Sequence, residues 1–430
     1  GSWLAKSTLP GTGEDPSMPD LLFLREKDML SVLRQAVELE EQLGTIRIHK
    51  GNEDHGSSTS FVKGIHNTMS TWSAQLSFGN DSAVNEQNST AMTSDRDYHL
   101  IVAAEGMNSN LRKVYGGYRF MKSLTGAAAL QNDEEQQQQQ ASENSGQMEA
   151  NAIEDRQYFV YRGNANMTDE DTGVDGISFQ TWGTGKSMRF ATVPLRYPEK
   201  EGLLEKQVWF ITSSDPQIAN ETDAEKRKAM LMESFGKWHD PIVRLLDATP
   251  ADEILAERAL AHKHSMGPVL NVNRIMRHIG QTSEATGPGP SIVFVGDAHM
   301  TVDPILAQGF TMALEGAYEL ANSLEECCAN FQHEQSQQQT SSSPSLAFCP
   351  YELRTQLQER HDRRGNRLIK LLRATELVQA LGQPDSKTVS GFLSKRVIRP
   401  LMRLSPGFVK RPIFDSMLRY SLDATAEKKK

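Results

Sequence analysis

The sequence has few cysteines and no long apolar run. Its 430 residues contain three cysteines, of which Cys327 and Cys328 are adjacent and Cys349 follows. This is no disulfide framework, so a reducing, intracellular setting is the simplest interpretation. No stretch approaches the roughly 18 apolar residues that a spanning helix needs, so we expect a protein that is soluble or peripheral to a membrane.

The sequence also lacks a basic surplus and a recognisable metal motif. Lys and Arg number 46 against 55 Asp and Glu, a net charge of -9, which disfavours nucleic-acid binding by the whole chain. His262, His264 and His299 occur without an HExxH or paired CxxC pattern. We therefore interpret them as surface or core residues, predict no metal site, and assign no side chain as catalytic.

Two polar segments interrupt the chain at 131–151 and 330–345. Both are rich in Gln and Ser and nearly free of large apolar side chains. Such segments cannot offset their ordering entropy by burial, so we predict two disordered inserts.

Short β-branched and aromatic segments, separated by turn residues, are typical of one antiparallel sheet. They are 157–162, 177–182, 187–194 and 207–213. Apolar periodicity and an acidic cap predict helices at 25–43, 223–235 and 240–248. The GTGKS run at 183–187 resembles a phosphate loop, but position 180 is Gln and a strand follows, so we predict a hairpin turn.

Two continuous apolar runs differ from these segments, and each ends in an acid beside a glycine. Residues 99–104 precede Glu105 and Gly106, and residues 291–295 precede Gly296 and Asp297. Runs of this kind suit parallel strands that are buried on both faces. Since ligands bind beyond the carboxyl ends of strands in open α/β sheets, a ligand site is predicted there.

A helix with apolar residues at helical spacing over 310–328 follows this second acid. Pro304 and Gln308 precede its start, and Gly309 lies in its first turn. The first N–H groups of a helix lack internal partners, and the dipole adds roughly half a positive charge there. Gly309 lets a ligand approach that backbone closely, so the site favours an anionic or electron-rich group.

The run SIVFVGDAHMTVDPILAQGFTMALEGAYELANSL resembles the second flavin-binding motif of the FAD-dependent aromatic-hydroxylase-type (p-hydroxybenzoate hydroxylase-like) monooxygenases. Asp297, Pro304, Gln308 and Gly309 match that motif in register, and Ala307 stands where the family has the first glycine of GQG. The family implies that Asp297 hydrogen-bonds the ribityl chain of FAD and that the turn at 304–309 faces the isoalloxazine ring.

Further segments resemble the same family in the same order. DYHLIVAAEGMNSNLRK at 97–113 is similar to its middle motif, with Glu105 in place of the usual Asp and followed by Gly106. The resemblance implies that this pair serves FAD and the nicotinamide side, and that Arg25, before the first helix, reaches the cofactor. Segments 181–195 and 346–368 are similar to the substrate-domain sheet and the C-terminal helices.

The resemblance implies an α/β fold in which an FAD/NAD(P)-binding, Rossmann-like domain accompanies an antiparallel-sheet substrate domain and C-terminal helices. The predicted division is 1–130 partial FAD-binding domain, 131–151 insert, 152–262 substrate-binding sheet domain, 263–329 return of the FAD-binding domain, 330–345 insert and 346–430 C-terminal helical region. No GxGxxG unit precedes Arg25, so we expect an N-terminally truncated Rossmann-like domain that binds FAD weakly or not at all.

The implied activity is that of an FAD-dependent monooxygenase. NAD(P)H reduces the flavin, O2 reacts with it, and one oxygen atom hydroxylates or epoxidises an apolar or aromatic substrate. Two alternatives remain open, namely a flavin oxidoreductase that does not oxygenate and a degenerate, non-catalytic binding protein with an FAD fold.

The last 45 residues, 386–430, form a basic amphipathic tail. They carry 11 Lys and Arg against three acids, a charge of +8. Such a tail could contact an anionic membrane peripherally, or it could be a helical cap on an acidic body; both interpretations stay open.

Overall fold

The computed structural model describes a mixed α/β protein. It describes residues 26–46, 60–67, 74–80, 92–93, 98, 100–115, 153–173, 178–183, 188–199, 202–262, 269–271, 291–304, 307–337, 352–360, 400, 404 and 406. The chain divides into two compact units: the first comprises Gly1–Arg47, Asp155–Ala259 and Lys370–Lys430, and the second comprises Ile48–Glu154 and Leu260–Ile369.

Eleven strands and nine helices lie within the described residues. The strands are β1 Ser60–Asn67, β2 Ala74–Asn80, β3 Met92–Thr93, β4 Leu100–Ala103, β5 Ile153–Ala165, β6 Phe179–Trp182, β7 Arg189–Glu199, β8 Gly202–Ser213, β9 Leu255–His262, β10 Val269–Asn271 and β11 Ser291–Phe294. The helices are α1 Glu26–Gln42, α2 Asn110–Tyr115, α3 Asp169–Thr172, α4 Pro216–Asn220, α5 Ala224–Phe235, α6 Ile242–Asp247, α7 Gly296–His299, α8 Gly309–Gln337 and α9 at 352–360, with a 3-10 turn at Ala251–Glu253.

The first unit is built on a sheet in the order β6-β7-β8-β5-β9. The pairs β6–β7, β7–β8 and β5–β8 are antiparallel, which confirms the antiparallel sheet and its four predicted strands. The fifth strand, β9, was not predicted, because its first four residues are exposed and apolar alternation is lost there. Gly183 N–H donates to the Met188 carbonyl at 2.8 Å, so the antiparallel strands β6 and β7 meet on either side of residues 184–187, which lie outside the described residues.

One face of this sheet forms the core of the first unit with helices α4, α5 and α6. The Asp223 carboxylate accepts a bond from Lys226 N–H at 3.0 Å and thereby caps α5, as the predicted acidic cap requires. Trp209 is fully buried, and its indole N–H donates to the Thr249 hydroxyl at 2.9 Å. Aromatic and aliphatic side chains complete the core: Tyr161, Phe179, Phe190, Ile211, Leu231, Phe235, Ile242, Leu245 and Leu246.

The second unit contains a mixed sheet in the order β10-β11-β4. β11 runs parallel to β4, which confirms the predicted parallel pair, and β10 is antiparallel to β11. A separate antiparallel sheet, β1-β2-β3, was not predicted. β11 is buried throughout, but Val102 of β4 is 44% exposed, so the prediction that both strands are covered on both faces is wrong at Val102. Residues of α8 and α9 pack against Val293 and Val295 of the neighbouring segment, and Val102 is not part of this cluster.

Helix α8 packs on the mixed sheet through part of its predicted apolar set, including Leu320 and Leu324. Its buried positions include Met312, Leu320 and Cys327, whereas Phe310 and Leu314 are 43% and 47% exposed. Alanines on several sides of the helix leave the apolar stripe ambiguous in the sequence, and contact with β11 selects the buried side.

Helix α8 also continues to Gln337, so the prediction of disorder from position 330 is wrong for residues 330–337. Gln and Glu are good helix formers, and extending an existing helix requires no new nucleation step. Residues 131–151 and 338–345 lie outside the described residues. The same holds for the tail, except for Pro400, Leu404 and Pro406. No helix among the described ranges is long and apolar enough to cross a membrane.

Gly163 provides a test of the core of the first unit. A Cβ atom at this position would lie 2.4 Å from Cζ2 of the buried Trp209. We expect Gly163→Ala to lower the free energy of unfolding by about 3 kcal/mol, because the indole has no room to move. Chemical denaturation measures the change. Asn164→Ala, at the exposed neighbouring position, is the control, and equal losses in both variants would contradict the packing argument.

Candidate functional site

The carboxyl ends of β4 and β11 lie side by side in the second unit. Val295 N–H donates to the Ala103 carbonyl at 3.0 Å, which extends the parallel pairing to the last residue of the run. The two acid–glycine pairs of the sequence therefore leave the sheet at the same edge, as parallel pairing requires.

The loop after β4 is closed by hydrogen bonds around the start of α2. Gly106 has φ of +78°, a conformation that favours glycine. The Ser109 hydroxyl accepts a bond from Arg112 N–H at 3.1 Å and donates to the Glu105 carboxylate. The same carboxylate accepts from Leu111 N–H at 3.3 Å, so Glu105 faces its own helix start.

The turn after β11 brings Asp297 beside α8. Gly296 has φ of +57°, and a Cβ built on it would lie 3.4 Å from the Ala313 Cβ atom, one turn into α8. The Asp297 carboxylate makes no hydrogen bond or ion pair with any of the described residues, and the residue is exposed. Atoms packed around it still remove part of its hydration, and this desolvation raises the pKa of Asp297. The carboxylate is therefore available to a ligand.

The entrance to α8 combines an open backbone with one strained residue. Pro304 accepts a bond from Ala307 N–H at 3.0 Å, and the Gln308 carbonyl accepts from Met312 N–H at 2.9 Å. Ala307 has φ of +51°, in the left-handed region that L-residues rarely adopt. No atom lies within 4 Å of the position a Cβ would take at Gly309, so a group can approach the helix start closely there.

The buried side chain of Arg112 joins the loop after β4 to α7, which follows β11. One guanidinium nitrogen donates to the carbonyl oxygens of Ala298, at 3.1 Å, and His299. Burial lowers the pKa of Arg112 to about 10, so the group stays charged at neutral pH. A cation at these carbonyls also complements the negative end of α7.

His262, at the end of β9, is the second buried contact between the loops. Its Nδ1 atom accepts a bond from Thr301 N–H at 2.9 Å, so the proton lies on Nε2, and the ring is hydrogen-bonded to the Met107 backbone. Burial, aided by the Arg112 charge, lowers the pKa of His262 to about 4. The neutral imidazole is thus the form that the fold requires.

The predicted site residues fall into two groups. The structure brings Gly296, Asp297 and the start of α8 together, with the Glu105 loop joined to them through Arg112. Arg25 lies outside the described residues. Sequence reasoning set His262 aside as a surface or core histidine, and no spacing signal marked its contacts with residues 39 positions later.

Comparison with known proteins finds similarity to a monooxygenase/isomerase and to solved structures, one of which holds FAD, while no family model matches the chain. The aurachin C monooxygenase/isomerase of Stigmatella aurantiaca is 29% identical over 169 residues, which are 39% of this chain and 36% of that protein. Klebsiella pneumoniae HpxO, complexed with FAD and uric acid, is 14% identical with a TM-score of 0.47, covering 84% of this chain and 66% of that one. For 2,6-dihydroxypyridine-3-hydroxylase of Arthrobacter nicotinovorans the identity is 12%, the TM-score 0.40, and the coverage 78% and 69%.

The strain at Ala307 can be tested by removing its methyl group. We expect Ala307→Gly to raise the free energy of unfolding, or leave it unchanged, because about 1 kcal/mol of left-handed strain offsets the greater entropy of glycine in the unfolded chain. Chemical denaturation is the measurement, with the exposed Ala317→Gly in α8 as the control that should lose about 1 kcal/mol. Equal losses in the two variants would show that Ala307 is unstrained.

The buried imidazole predicts a pH dependence of stability. The pKa of His262 falls from 6.5 to about 4 on folding, so the unfolded chain binds the proton first as the pH drops. The stabilisation is complete above about pH 6.5 and is lost, by about 3 kcal/mol, as the pH falls towards 4. Denaturation of the wild type and His262→Gln between pH 7 and pH 4 should show a shallower loss in the variant. The exposed His239→Gln should keep the wild-type slope.

Proposed function

We propose that this protein is an FAD-dependent monooxygenase. The observation that carries the proposal is the Asp297 carboxylate, which follows β11 near the start of α8 and has no partner among the residues that the structure describes. FAD, reduced by NAD(P)H, would supply the reaction with O2 and the transfer of one oxygen atom to an apolar or aromatic substrate. The described residues bind and orient the cofactor, and none of them is assigned a covalent step.

The chemistry of the site fits the ribityl and ring portions of a flavin. A carboxylate is an acceptor for ribityl hydroxyl groups, and a partly desolvated carboxylate gains more from such a bond than a fully hydrated one. A Cβ built on Gly309 meets no described atom within 4 Å beyond its chain neighbours and its own helix backbone, so the backbone N–H groups at the start of α8 are open to an approaching ring. The positive end of that 29-residue helix would stabilise negative charge on the pyrimidine edge of the ring.

The remaining predicted contacts enter the proposal with different roles. The Glu105 carboxylate is engaged at the start of α2, so we expect the backbone at Gly106 to meet the cofactor. We retain Arg25 as a cofactor contact by family resemblance, with Pro304 and Gln308 shaping the turn before α8. The match to the aurachin C monooxygenase/isomerase supports the class of reaction.

Replacing Asp297 tests the cofactor site directly. We expect Asp297→Ala to weaken FAD binding by about 10- to 100-fold, the worth of a hydrogen bond to a charged acceptor, and Asp297→Asn to weaken it less. Titration of the protein with FAD, followed by flavin fluorescence, gives the dissociation constants.

Asp252→Ala, which removes an exposed acid of the first unit, is the matched control. Because weak binding is expected without a GxGxxG unit, the titration extends to high FAD concentration. Unchanged affinity in Asp297→Ala, or no saturable FAD binding by the wild type even at high concentration, would refute the proposed site. Substrate-dependent O2 uptake with an oxygenated product then tests the monooxygenase activity. Flavin reduction without oxygenated product would instead identify a non-oxygenating flavin oxidoreductase.

A further inference from the structure

We propose that His262 is a positioning residue that holds the loop after β4 and the turn after α7 at a fixed separation, and so sets the affinity of the site for flavin. The positioning of the two loops is a property of the folded chain itself. The effect on flavin affinity rests on the proposed function.

The imidazole of His262 meets both loops with its two ring nitrogens. Nδ1 accepts from Thr301 N–H at 2.9 Å, and the ring is hydrogen-bonded to the Met107 backbone. Because Nδ1 is the acceptor, the proton is on Nε2, and we infer that Nε2 is the ring atom that faces the Met107 carbonyl. The backbone N–H of His262 donates to the Thr301 carbonyl at 3.0 Å, so the histidine is itself anchored to the turn.

These contacts reach the residues that the flavin site requires. Met107 directly follows Gly106, the positive-φ residue of the first loop. Thr301 lies four residues after Asp297, and its hydroxyl donates to the Asp297 carbonyl at 3.4 Å. A single buried side chain, 5% exposed, therefore spans from one acid-bearing loop to the other.

Removing this ring would leave two backbone groups without their partner inside the protein. The Thr301 amide would lose its acceptor and the Met107 carbonyl its donor, and both residues are only partly exposed, so water replaces these bonds incompletely while the loops keep their positions. The loops would then separate or admit water to recover these bonds. Arg112 would still join the first loop to α7, so we expect loosening of the site and not unfolding of the unit.

Two conservative substitutions test separately the His262 bond to Thr301 and the His262 bond to Met107. His262→Asn keeps an acceptor near the position of Nδ1 and should preserve the bond to Thr301. His262→Gln keeps a donor near the position of Nε2 and should preserve the bond to Met107. His262→Ala preserves neither. Thr249→Val is the control for lost stability, since it removes a buried hydroxyl of the first unit that accepts from Trp209.

Hydrogen–deuterium exchange of the flavin-free protein tests the loop coupling. In His262→Ala we expect amide exchange to rise by about tenfold or more at both 105–112 and 297–303, since the two segments would open more often. His262→Asn and His262→Gln should each give a smaller rise, and Thr249→Val should give none in these segments. A rise confined to one segment, or no rise, would overturn the proposal.

FAD titration, followed by flavin absorbance and fluorescence, tests the effect on flavin affinity. We expect His262→Ala to weaken binding by about tenfold, equivalent to about 1.4 kcal/mol, with partial recovery in the conservative variants. Weakening of the same size in Thr249→Val would overturn the positioning role. If the wild type binds no FAD, the proposed function fails and the flavin part fails with it, while the exchange experiment decides the loop coupling independently.

Discussion

The parallel pairing of β4 with β11 is the constraint on which the candidate site depends. The two strands are separated by nearly half of the chain, yet the Val295 N–H bond to Ala103 aligns their ends at one edge. Backbone hydrogen bonding then delivers both acid–glycine pairs to the same place without any contact between the acids. The turn after β11 adds the start of α8, because Gly296 has no side chain to keep Ala313 away.

Two departures from the flavin-binding motifs that the sequence resembles, Glu105 and Ala307, have different physical consequences. Glu105 is long enough to reach back to Ser109 and Leu111, so a residue expected to face the cofactor also stabilises a helix start. Ala307 keeps a left-handed backbone where the family has glycine. Such strain persists only when the surrounding structure determines the conformation, here the turn between Pro304 and Gly309.

The interior of the site is polar and is crossed by hydrogen bonds from Arg112 and His262. Arg112 and His262 are buried, and their bonds to Ala298, Met107 and Thr301 supply the partners that buried polar groups need. Buried networks of this kind specify one arrangement, because each alternative leaves a charge or a backbone group unsatisfied. Asp297, whose carboxylate has no partner among the described residues, is joined to this network by the Thr301 hydroxyl, which donates to its backbone carbonyl.

The sequence by itself determined the local elements: the four strands of the antiparallel sheet, the Asp223-capped helix and the two parallel strands ending in an acid beside glycine. These follow from residue type and periodicity, which act over a few positions. Only the tertiary structure decided the buried side of α8, the exposure of Val102, the capping role of Glu105 and the bonds of His262 to the two loops. The buried side of α8, the exposure of Val102 and the bonds of His262 depend on contacts between distant segments, which short-range patterns do not predict.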